Sequence, residues 1–310
     1  MRTSLTRWYD AARRDLPWRR TRDPYAIWIS EIMLQQTRVA AVIPYYEKFL
    51  AAYPDPAALA DAPEPQLLAM WAGLGYYSRA RNVQRAARQM AGTFPRDYDS
   101  IRALAGVGEY TAAAVASIAF GLPHAAVDGN VKRVVIRLTN NNDAEVGAIA
   151  EKLLDRRDPG RWNQAMMELG ATVCLPRDPQ CGACPLALLC EAHRHDRQRE
   201  IPSKRVKPDA VRLKRTLLIA RDGGRILLTP SARVKGFWDL PEKLPGAKLS
   251  SVVGEFRHTI TFRHYTFIVR QAKATAVSKP FEWFDHRRLD EIPLSTTAKK
   301  ALRCLKERDV

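Results

Sequence analysis

Hydrophobic and polar residues follow two different patterns along this chain. Up to about residue 200, apolar residues recur at three- and four-residue spacing within segments that Pro and Gly separate, which is the pattern of amphipathic helices. The clearest of these segments are residues 27–36, 65–71, 79–90, 112–120 and 144–154. This half of the sequence carries no hairpin signal. We therefore predict a mainly α-helical domain for residues 1–200.

The pattern changes after residue 200. Residues 201–209 are polar, basic and bounded by prolines, which is typical of a linker. The residues that follow contain short strand-like runs and a closing helix rather than long amphipathic helices. We predict a linker at 201–212 and a small α+β domain at 213–310.

Turn and strand signals fill this second domain. The apolar runs 216–220 and 225–229 flank Asp222-Gly223-Gly224, which indicates a β-hairpin. Ser295 is expected to cap a closing helix that ends near residue 306. Further strand-like runs cover residues 260–267 and 281–284.

Charge narrows the choice of ligand. The 310 residues carry a formal net charge of +17 at pH 7. Such an excess of Lys and Arg suits a polyanion such as nucleic acid, because each neutralised phosphate releases counterions. An anionic membrane is the alternative, but no stretch approaches about 18 uncharged apolar residues. The first residues lack the apolar core of a signal peptide, so we expect a cytoplasmic protein without membrane contact.

Cysteine usage indicates a metal site rather than disulfides. Four of the five cysteines fall within residues 174–190, with six, two and five residues between them. Four thiolates so close in sequence can converge on one centre, either a zinc ion or a [4Fe–4S] cluster. Spacing alone leaves both open, and zinc is the commoner structural metal. The four candidate ligands are Cys174, Cys181, Cys184 and Cys190.

A turn with two glycines predicts a phosphate site. Gly106 and Gly108 stand just before the Ala-rich helix predicted at 112–120. Glycine lets the backbone come close to an anion, and a helix N-terminus favours negative charge. Taken alone, the same turn is equally compatible with a plain connection between helices.

Two carboxyl groups are candidates for acid–base chemistry. Glu31 stands among apolar residues, with Gln35 four positions later on the same predicted helical face, and loss of solvation would keep its carboxyl protonated near neutral pH. Asp128 follows Ala125-Ala126-Val127, and we expect it to stay ionised. Glycosidic cleavage requires such a pair. Taken alone, Asp128 is more often a helix N-cap, and the pattern around Glu31 is also compatible with an exposed residue on an amphipathic helix.

Several uncommon strings lie between residues 16 and 190. They are residues 16–19, 30–37, 73–77, 106–108, 127–133 and 167–170. With these strings the chain resembles the helix-hairpin-helix DNA glycosylases and, among them, the MutY family of adenine-DNA glycosylases. The resemblance implies that the four cysteines hold a [4Fe–4S] cluster rather than zinc. The cluster would anchor a DNA-contacting loop.

One position separates related glycosylases. In endonuclease III-like enzymes, a lysine two residues after the second glycine of the hairpin turn forms a Schiff base with the sugar. Here that position is Tyr110. Without an amine the sugar cannot be trapped in this way, so the resemblance implies a monofunctional glycosylase that does not cleave the strand.

The resemblance also implies roles for single residues, acting on an adenine flipped out of the duplex. Glu31 would protonate the base, Asp128 would stabilise the cationic sugar, and Tyr110 and Asn130 would orient these groups. Ala105 stands where the family commonly has proline, which should loosen the turn only slightly. The residues expected to line the adenine pocket or contact DNA are Trp18, Arg19, Gln35, Gln36, Leu74, Tyr76, Gly106, Gly108 and Glu168.

The C-terminal domain resembles, at residues 236–241 and 256–259, the Nudix-like module with which MutY proteins inspect 8-oxoguanine opposite adenine. It lacks the Glu-rich run of Nudix hydrolases, so we expect it to recognise 8-oxoguanine rather than to catalyse hydrolysis. The family's Phe-Ser-His loop falls on Ile260-Thr261-Phe262, where Thr261 keeps a hydroxyl and Phe262 replaces the histidine. A one-residue shift would bring residues 262–264 into that role but turn the side chains to the opposite face.

Three hypotheses follow. The leading one is a monomeric DNA repair glycosylase that hydrolyses the N-glycosidic bond of adenine opposite 8-oxoguanine or guanine in double-stranded DNA. The second is a glycosylase for another mispaired base, such as thymine opposite guanine, and residues 34–37 speak against it. The third is a non-catalytic DNA-binding protein with a structural cluster. It gains support if Glu31 and Asp128 lie too far apart to flank one sugar.

Overall fold

The structure, a computed structural model, describes residues 1–203, 209–274 and 277–306. Contacts divide these residues into two units. One contains Met1–Asp61 and the described residues from Asn82 to 203, and the other contains Ala62–Arg81 and the described residues from 209 onward. Residues 62–81, which the predicted boundary places with the helical domain, are thus grouped with the C-terminal residues. Of the predicted linker, residues 204–208 lie outside the described residues.

The periodic segments form helices as predicted. In chain order the helices are α1 (Arg2–Ala12), α2 (Pro24–Leu34), α3 (Val39–Ala52), α4 (Pro56–Ala60), α5 (Glu64–Trp71), α6 (Ser78–Met90), α7 (Tyr98–Arg102), α8 (Glu109–Phe120), α9 (Gly129–Thr139), α10 (Val146–Leu153), α11 (Pro159–Thr172), α12 (Glu191–Arg194) and α13 (Thr296–Lys306). No described helix has both the length and the apolar character that a membrane span needs.

Aspartate side chains begin many of these helices. Each accepts hydrogen bonds from backbone N–H groups of the first turn, which have no partner inside the helix. The aspartates that cap in this way are Asp23, Asp55, Asp97, Asp128 and Asp158. These caps therefore set where several helices begin, including α9, whose N-cap Asp128 is a candidate catalytic residue.

Helix α11 packs against α1, α8 and α9 in the first unit. Its apolar side chains Trp162, Met166 and Leu169 belong to one buried core with residues of α1 and α9. Two glycines allow this close packing. A Cβ on Gly160 would lie 2.6 Å from the Ser117 carbonyl oxygen, and one on Gly170 would lie 2.6 Å from Asn130 Cβ. Since real Cβ atoms do not approach so closely, α11 is held directly against the start of α9.

The second unit contains a mixed six-stranded sheet. The strands are β1 (Val211–Asp222), β2 (Arg225–Pro230), β3 (Trp238–Asp239), β4 (Lys248–Ile260), β5 (Arg263–Lys273) and β6 (Glu282–Asp285). They are ordered β3-β2-β1-β5-β4, with β6 also paired to β2. Among the strand pairs of the described residues, β1 and β5 run parallel, and the other four pairs are antiparallel. The predicted fold class, a helical region followed by a small α+β region, is confirmed.

Two sequence predictions in this unit are confirmed and one is wrong. The turn at 222–224 joins β1 to β2, and Ser295 Oγ accepts the Ala298 N–H at the start of α13 over 3.0 Å. The run 260–267 is not one strand, because Thr261 and Phe262 form a turn between β4 and β5. Thr261 adopts φ +54°, a left-handed conformation that glycine or asparagine usually signals.

Candidate active site

A cavity of about 720 Å³ lies in the first unit, bordered by residues of α2, α8, α9 and α11. Glu31 and Asp128 both line it, so the two candidate acids face one space. The fold therefore brings together two residues that lie far apart in the sequence, as the leading hypothesis requires. Other residues named from the sequence that line the cavity are Trp18, Arg19, Gln35, Gln36, Tyr110, Asn130 and Glu168.

Glu31 lies on α2 and is 6% exposed. The Tyr110 hydroxyl donates a hydrogen bond of 2.6 Å to Glu31 Oε2. Burial raises the pKa of Glu31 to about 7; the bond from Tyr110 opposes this rise, and the charge of Asp128 adds to it. Such a carboxyl is protonated in a large fraction of molecules at neutral pH and can donate its proton.

Asp128 caps α9 and lines the cavity at the same time. Its Oδ1 accepts the Val131 N–H over 2.7 Å, and its Oδ2 accepts the Asn130 side-chain amide over 2.8 Å. Burial raises the pKa of Asp128, and these hydrogen bonds together with the charge of Arg133 oppose the rise. Asp128 is therefore both the N-cap of α9 and a carboxyl group of the cavity, so these two interpretations of the residue are compatible.

Tyr110 stays a neutral phenol. Burial and the charges of Glu31 and Asp128 raise its pKa well above its ordinary value. Its hydroxyl also lies 3.3 Å from the Met167 sulfur on α11. The Tyr110 hydroxyl thus orients the Glu31 carboxyl. The side chain offers no amine that could form a Schiff base with the sugar.

Glu168 is fully buried on α11 and held by two arginines. Arg14 Nε reaches Glu168 Oε1 at 2.8 Å, and Arg19 Nη2 reaches Oε2 at 2.7 Å. Burial alone would raise the pKa of Glu168, but the hydrogen bonds from Arg14 and Arg19 lower it to about 2. The cavity therefore has a wall of fixed charges, with a carboxylate and two guanidinium groups in set positions.

Arg14 was missed by sequence reasoning. It lines the cavity and its backbone N–H also donates to Glu168 Oε1 over 3.0 Å. The residue stands just before the string at 16–19, and its partner is 154 positions away. A contact over that distance is set by the packing of α11, so the local pattern gives no signal for it.

The end of α2 differs from the prediction. The helix stops at Leu34, so Gln35 does not continue the helical face of Glu31. Instead the chain turns, with the Thr37 N–H bonded to the Leu34 carbonyl over 3.2 Å and Gln36 at φ +57°. Gln35 still lines the cavity and donates to Thr111 Oγ1 over 3.5 Å.

The two glycines of the predicted phosphate turn differ, because the backbone requires glycine at position 106 but not at position 108. Gly106 has φ +77°, and a Cβ there would lie 2.7 Å from the Asn82 side chain. Gly108 is the N-cap of α8, has no side-chain cap, and has open space where a Cβ would be. An anion can therefore approach the N-terminus of α8 closely. Ala105 donates its N–H to Gln89 Oε1 over 2.7 Å, a bond that proline could not make.

Three residues named from the sequence belong to the second unit. Leu74 is 5% exposed, so a DNA contact through its side chain would require its neighbours to move. Tyr76 is 51% exposed at φ +48°, with the Arg79 guanidinium 5.7 Å from its ring. Thr261 is exposed at the β4–β5 turn, and its hydroxyl donates to the carbonyl of Ile260 over 2.7 Å.

The four cysteines named from the sequence come together in the first unit. They line one small cavity together with His193 and Gln198; the cysteines are Cys174, Cys181, Cys184 and Cys190. The fully buried Arg137 donates to Cys174 Sγ over 3.2 Å. Within the described residues, His193 Nδ1 and Gln198 Oε1 are buried without a hydrogen-bond partner.

The site contains the donors that a thiolate-bound metal group needs. Zinc and a [4Fe–4S] cluster are both held by four cysteine thiolates. The four thiols share one cavity, and His193 and Gln198 add two buried polar atoms without a hydrogen-bond partner in the described part of the chain. The residues present therefore fit a metal group bound by thiolates.

Comparison with known proteins finds similarity to one family of DNA repair proteins. Residues 29–157 match the HhH-GPD superfamily of base excision DNA repair proteins. The chain is 44% identical to the adenine DNA glycosylase of Homo sapiens over 221 residues, which cover 64% of this chain and 40% of that protein. It is 39% identical to the adenine DNA glycosylase of Buchnera aphidicola subsp. Baizongia pistaciae over 215 residues, or 66% of this chain and 61% of that protein. The chain therefore spans 40–61% of the length of these curated relatives.

Solved structures show the same similarity. A thermostable thymine-DNA glycosylase is 32% identical with a TM-score of 0.59, and the match covers 62% of this chain and 94% of that chain. A non-covalent endonuclease III–DNA complex is 28% identical with a TM-score of 0.55, covering 63% of this chain and 95% of that chain. The similarity thus includes nearly all of each smaller protein.

Proposed function

This chain belongs to the HhH-GPD superfamily of base excision DNA repair proteins, and we propose that it is a monofunctional adenine-DNA glycosylase. It acts as a monomer on double-stranded DNA and releases adenine mispaired with 8-oxoguanine or guanine, leaving an abasic site. The single observation that carries the proposal is that Glu31 and Asp128 line one cavity while the pKa of Glu31 lies near 7. The relatives named adenine DNA glycosylase support adenine as the base.

In the proposed reaction the two acids act on opposite sides of the glycosidic bond. Protonated Glu31, held by the Tyr110 hydroxyl, gives its proton to a ring nitrogen of the flipped adenine, so that the base leaves as a neutral molecule. Asp128, held by Asn130, stabilises the positive charge that develops on the sugar. Water then adds to the sugar and gives a proton to the Glu31 carboxylate, which completes the abasic site and restores the acid.

Side chains of the cavity wall are proposed to recognise the flipped base. Glu168 stays ionised because Arg14 and Arg19 hold it, and its two oxygens accept four hydrogen bonds from these arginines. The remaining guanidinium N–H groups of Arg14 and Arg19 therefore form a fixed pattern of donors in the cavity wall. Such a pattern suits the hydrogen-bonding edge of a flipped base. The Gly108 turn binds a backbone phosphate at the N-terminus of α8.

The test is base release under single-turnover conditions. We expect free adenine from duplexes that pair adenine with 8-oxoguanine or guanine, without strand cleavage until alkali is added. Asp128→Asn should abolish release while the protein stays folded, because asparagine caps a helix as well as aspartate does. The matched control is Asp55→Asn, which changes an aspartate cap at α4 and should retain the rate. Retention of adenine by the unaltered protein, or thymine release from a thymine–guanine duplex instead, contradicts the proposal.

We also propose that the four clustered cysteines hold a [4Fe–4S] cluster, which supplies a structural anchor for the loop between α11 and α12. The purified protein should contain about four iron and four acid-labile sulfide atoms per chain. Cys184→Ser should lower both contents, whereas Cys304→Ser, which changes the cysteine outside this group, should not. Zinc as the bound metal contradicts this assignment.

A further inference from the structure

We propose that Asn163 is a positioning residue that fixes the loop delivering Asp128 into the cavity, an inference that rests on the function proposed above. The loop covers residues 121–127 and joins α8 to the capping residue of α9. Asn163 lies on α11, is 2% exposed and does not line the cavity within the described residues. Any effect it has on the reaction must therefore pass through other residues.

The side-chain amide of Asn163 bonds to the loop on both sides of Ala125. Its Nδ2 donates to the His124 carbonyl over 2.8 Å, and its Oδ1 accepts the Ala126 N–H over 3.1 Å. The backbone partners fix which way the amide points, because a carbonyl only accepts and an N–H only donates. One side chain thus pairs with the loop as a neighbouring β-strand would, and it restrains the backbone torsions of Ala125.

A third hydrogen bond ties Asn163 to α8. Its Nδ2 also donates to Ser117 Oγ over 2.8 Å, and Ser117 is itself buried and donates to the Ala114 carbonyl over 3.2 Å. The amide is therefore anchored to a helix while it binds the loop. A buried amide lowers stability unless its polar atoms are bonded, and all the bonds recorded for this one go to α8 or to the loop.

A second tether acts at the middle of the same loop. Glu151 on α10 accepts the Ala125 N–H over 2.7 Å. The His124 ring also stacks on Tyr98, with centroids 4.2 Å apart and an angle of 15° between the planes. The loop is thus held from three helices, and only Val127 separates the last tethered residue from Asp128.

The consequence for the reaction is geometric. Asp128 must lie against the sugar with its charge in the correct direction, and a misplacement of about 1 Å can lower a rate by about 10²-fold. Without Asn163 the bonds on both sides of Ala125 are lost together. The backbone that leads into the N-cap of α9 is then free to shift, although the cap itself remains.

The experiment compares single-turnover rates and active fractions on a duplex with adenine opposite 8-oxoguanine. Asn163→Ala should lower the rate constant by roughly 10²-fold. Ser117→Ala, which leaves both loop bonds in place, should lower it far less. The control is Leu59→Ala, a core truncation on α4 away from the loop, which should lower the melting temperature and the active fraction but not the rate constant. A merely structural role for Asn163 would give the same result as this control.

The second tether keeps the inference testable if Asn163→Ala fails to fold. Glu151→Ala should slow the reaction by a smaller factor, and Glu151→Gln, which keeps an acceptor oxygen for Ala125, should restore the rate. Unchanged rate constants in both alanine variants overturn the inference while the proposed function stands.

Hydrogen exchange distinguishes failure of the inference about the loop tethers from failure of the proposed function. If the unaltered protein releases no adenine, the function fails, yet the tether still predicts faster exchange of the amides of residues 124–128 in Asn163→Ala than in Leu59→Ala. Equal exchange in the two variants overturns the tether itself.

Discussion

The cavity of the first unit and the β4–β5 turn of the second unit differ in what holds their side chains. In the cavity, Glu31 is bonded to Tyr110, and Glu168 is bonded to two arginines. At the turn, Ile260 and Phe262 are 39% and 40% exposed, and within the described residues the Thr261 hydroxyl donates to the carbonyl of its neighbour Ile260. Substitutions in the cavity should therefore spread through a network, whereas those at the turn should stay local.

The largest expected effect comes from the acid in the cavity. Glu31→Gln keeps the shape of the side chain but removes the proton donor, so the rate of adenine release should fall by about 10²–10⁴-fold. In the unaltered protein the rate should fall as pH rises through about 7, since Glu31 then loses its proton. A pH profile of the single-turnover rate measures both. Glu47→Gln on the exposed side of α3 is the control.

The same group links stability to pH. Because the pKa of Glu31 is raised from 4.5 to about 7, the folded protein binds this proton more tightly than the unfolded chain does. The corresponding stabilisation is fully present below pH 4.5 and is lost as pH rises through about 7, by on the order of 3 kcal/mol. Glu31→Gln should remove this dependence in urea unfolding. If the unaltered protein and Glu31→Gln show the same pH dependence, Glu31 is not a buried acid with a raised pKa. The contrast between the cavity and the turn is then wrong.

The smallest effect is expected at the turn. Thr261→Ala and Phe262→His should each change the free energy of unfolding by less than about 0.5 kcal/mol, because both side chains are exposed. Release of adenine opposite guanine should be unchanged. Thr261→Ala should lower the preference for 8-oxoguanine, and Phe262→His should raise it, because an imidazole offers hydrogen bonds that a phenyl ring lacks.

Competition between duplexes containing 8-oxoguanine and guanine measures this preference. Ser251→Ala, at an exposed position of β4 away from the turn, is the control. A loss of release from both duplexes alike, or a large loss of stability, would show that the turn is coupled to a network as the cavity is.

The sequence predicts the fold class, and it names two carboxyl groups that line one cavity in the structure, because these features depend on local signals. Helical periodicity predicts α2 and α6, and an apolar setting predicts the raised pKa of Glu31. Sequence reasoning missed Arg14 and Asn163, whose partners lie 154 and 39 positions away in the sequence. It also read residues 260–267 as one strand, since Thr261 carries none of the usual signals for a positive φ.

Three residues expected to contact DNA already stand in the left-handed backbone region. They are Gln36, Tyr76 and Thr261, with φ of +57°, +48° and +54°. A side chain other than glycine in this region costs about 1–3 kcal/mol each. The free protein already carries this backbone strain, so DNA binding does not have to supply the corresponding free energy. If these three residues contact DNA as the sequence predicts, this preorganisation raises the affinity, and glycine at these sites should ease folding but weaken binding to the duplex.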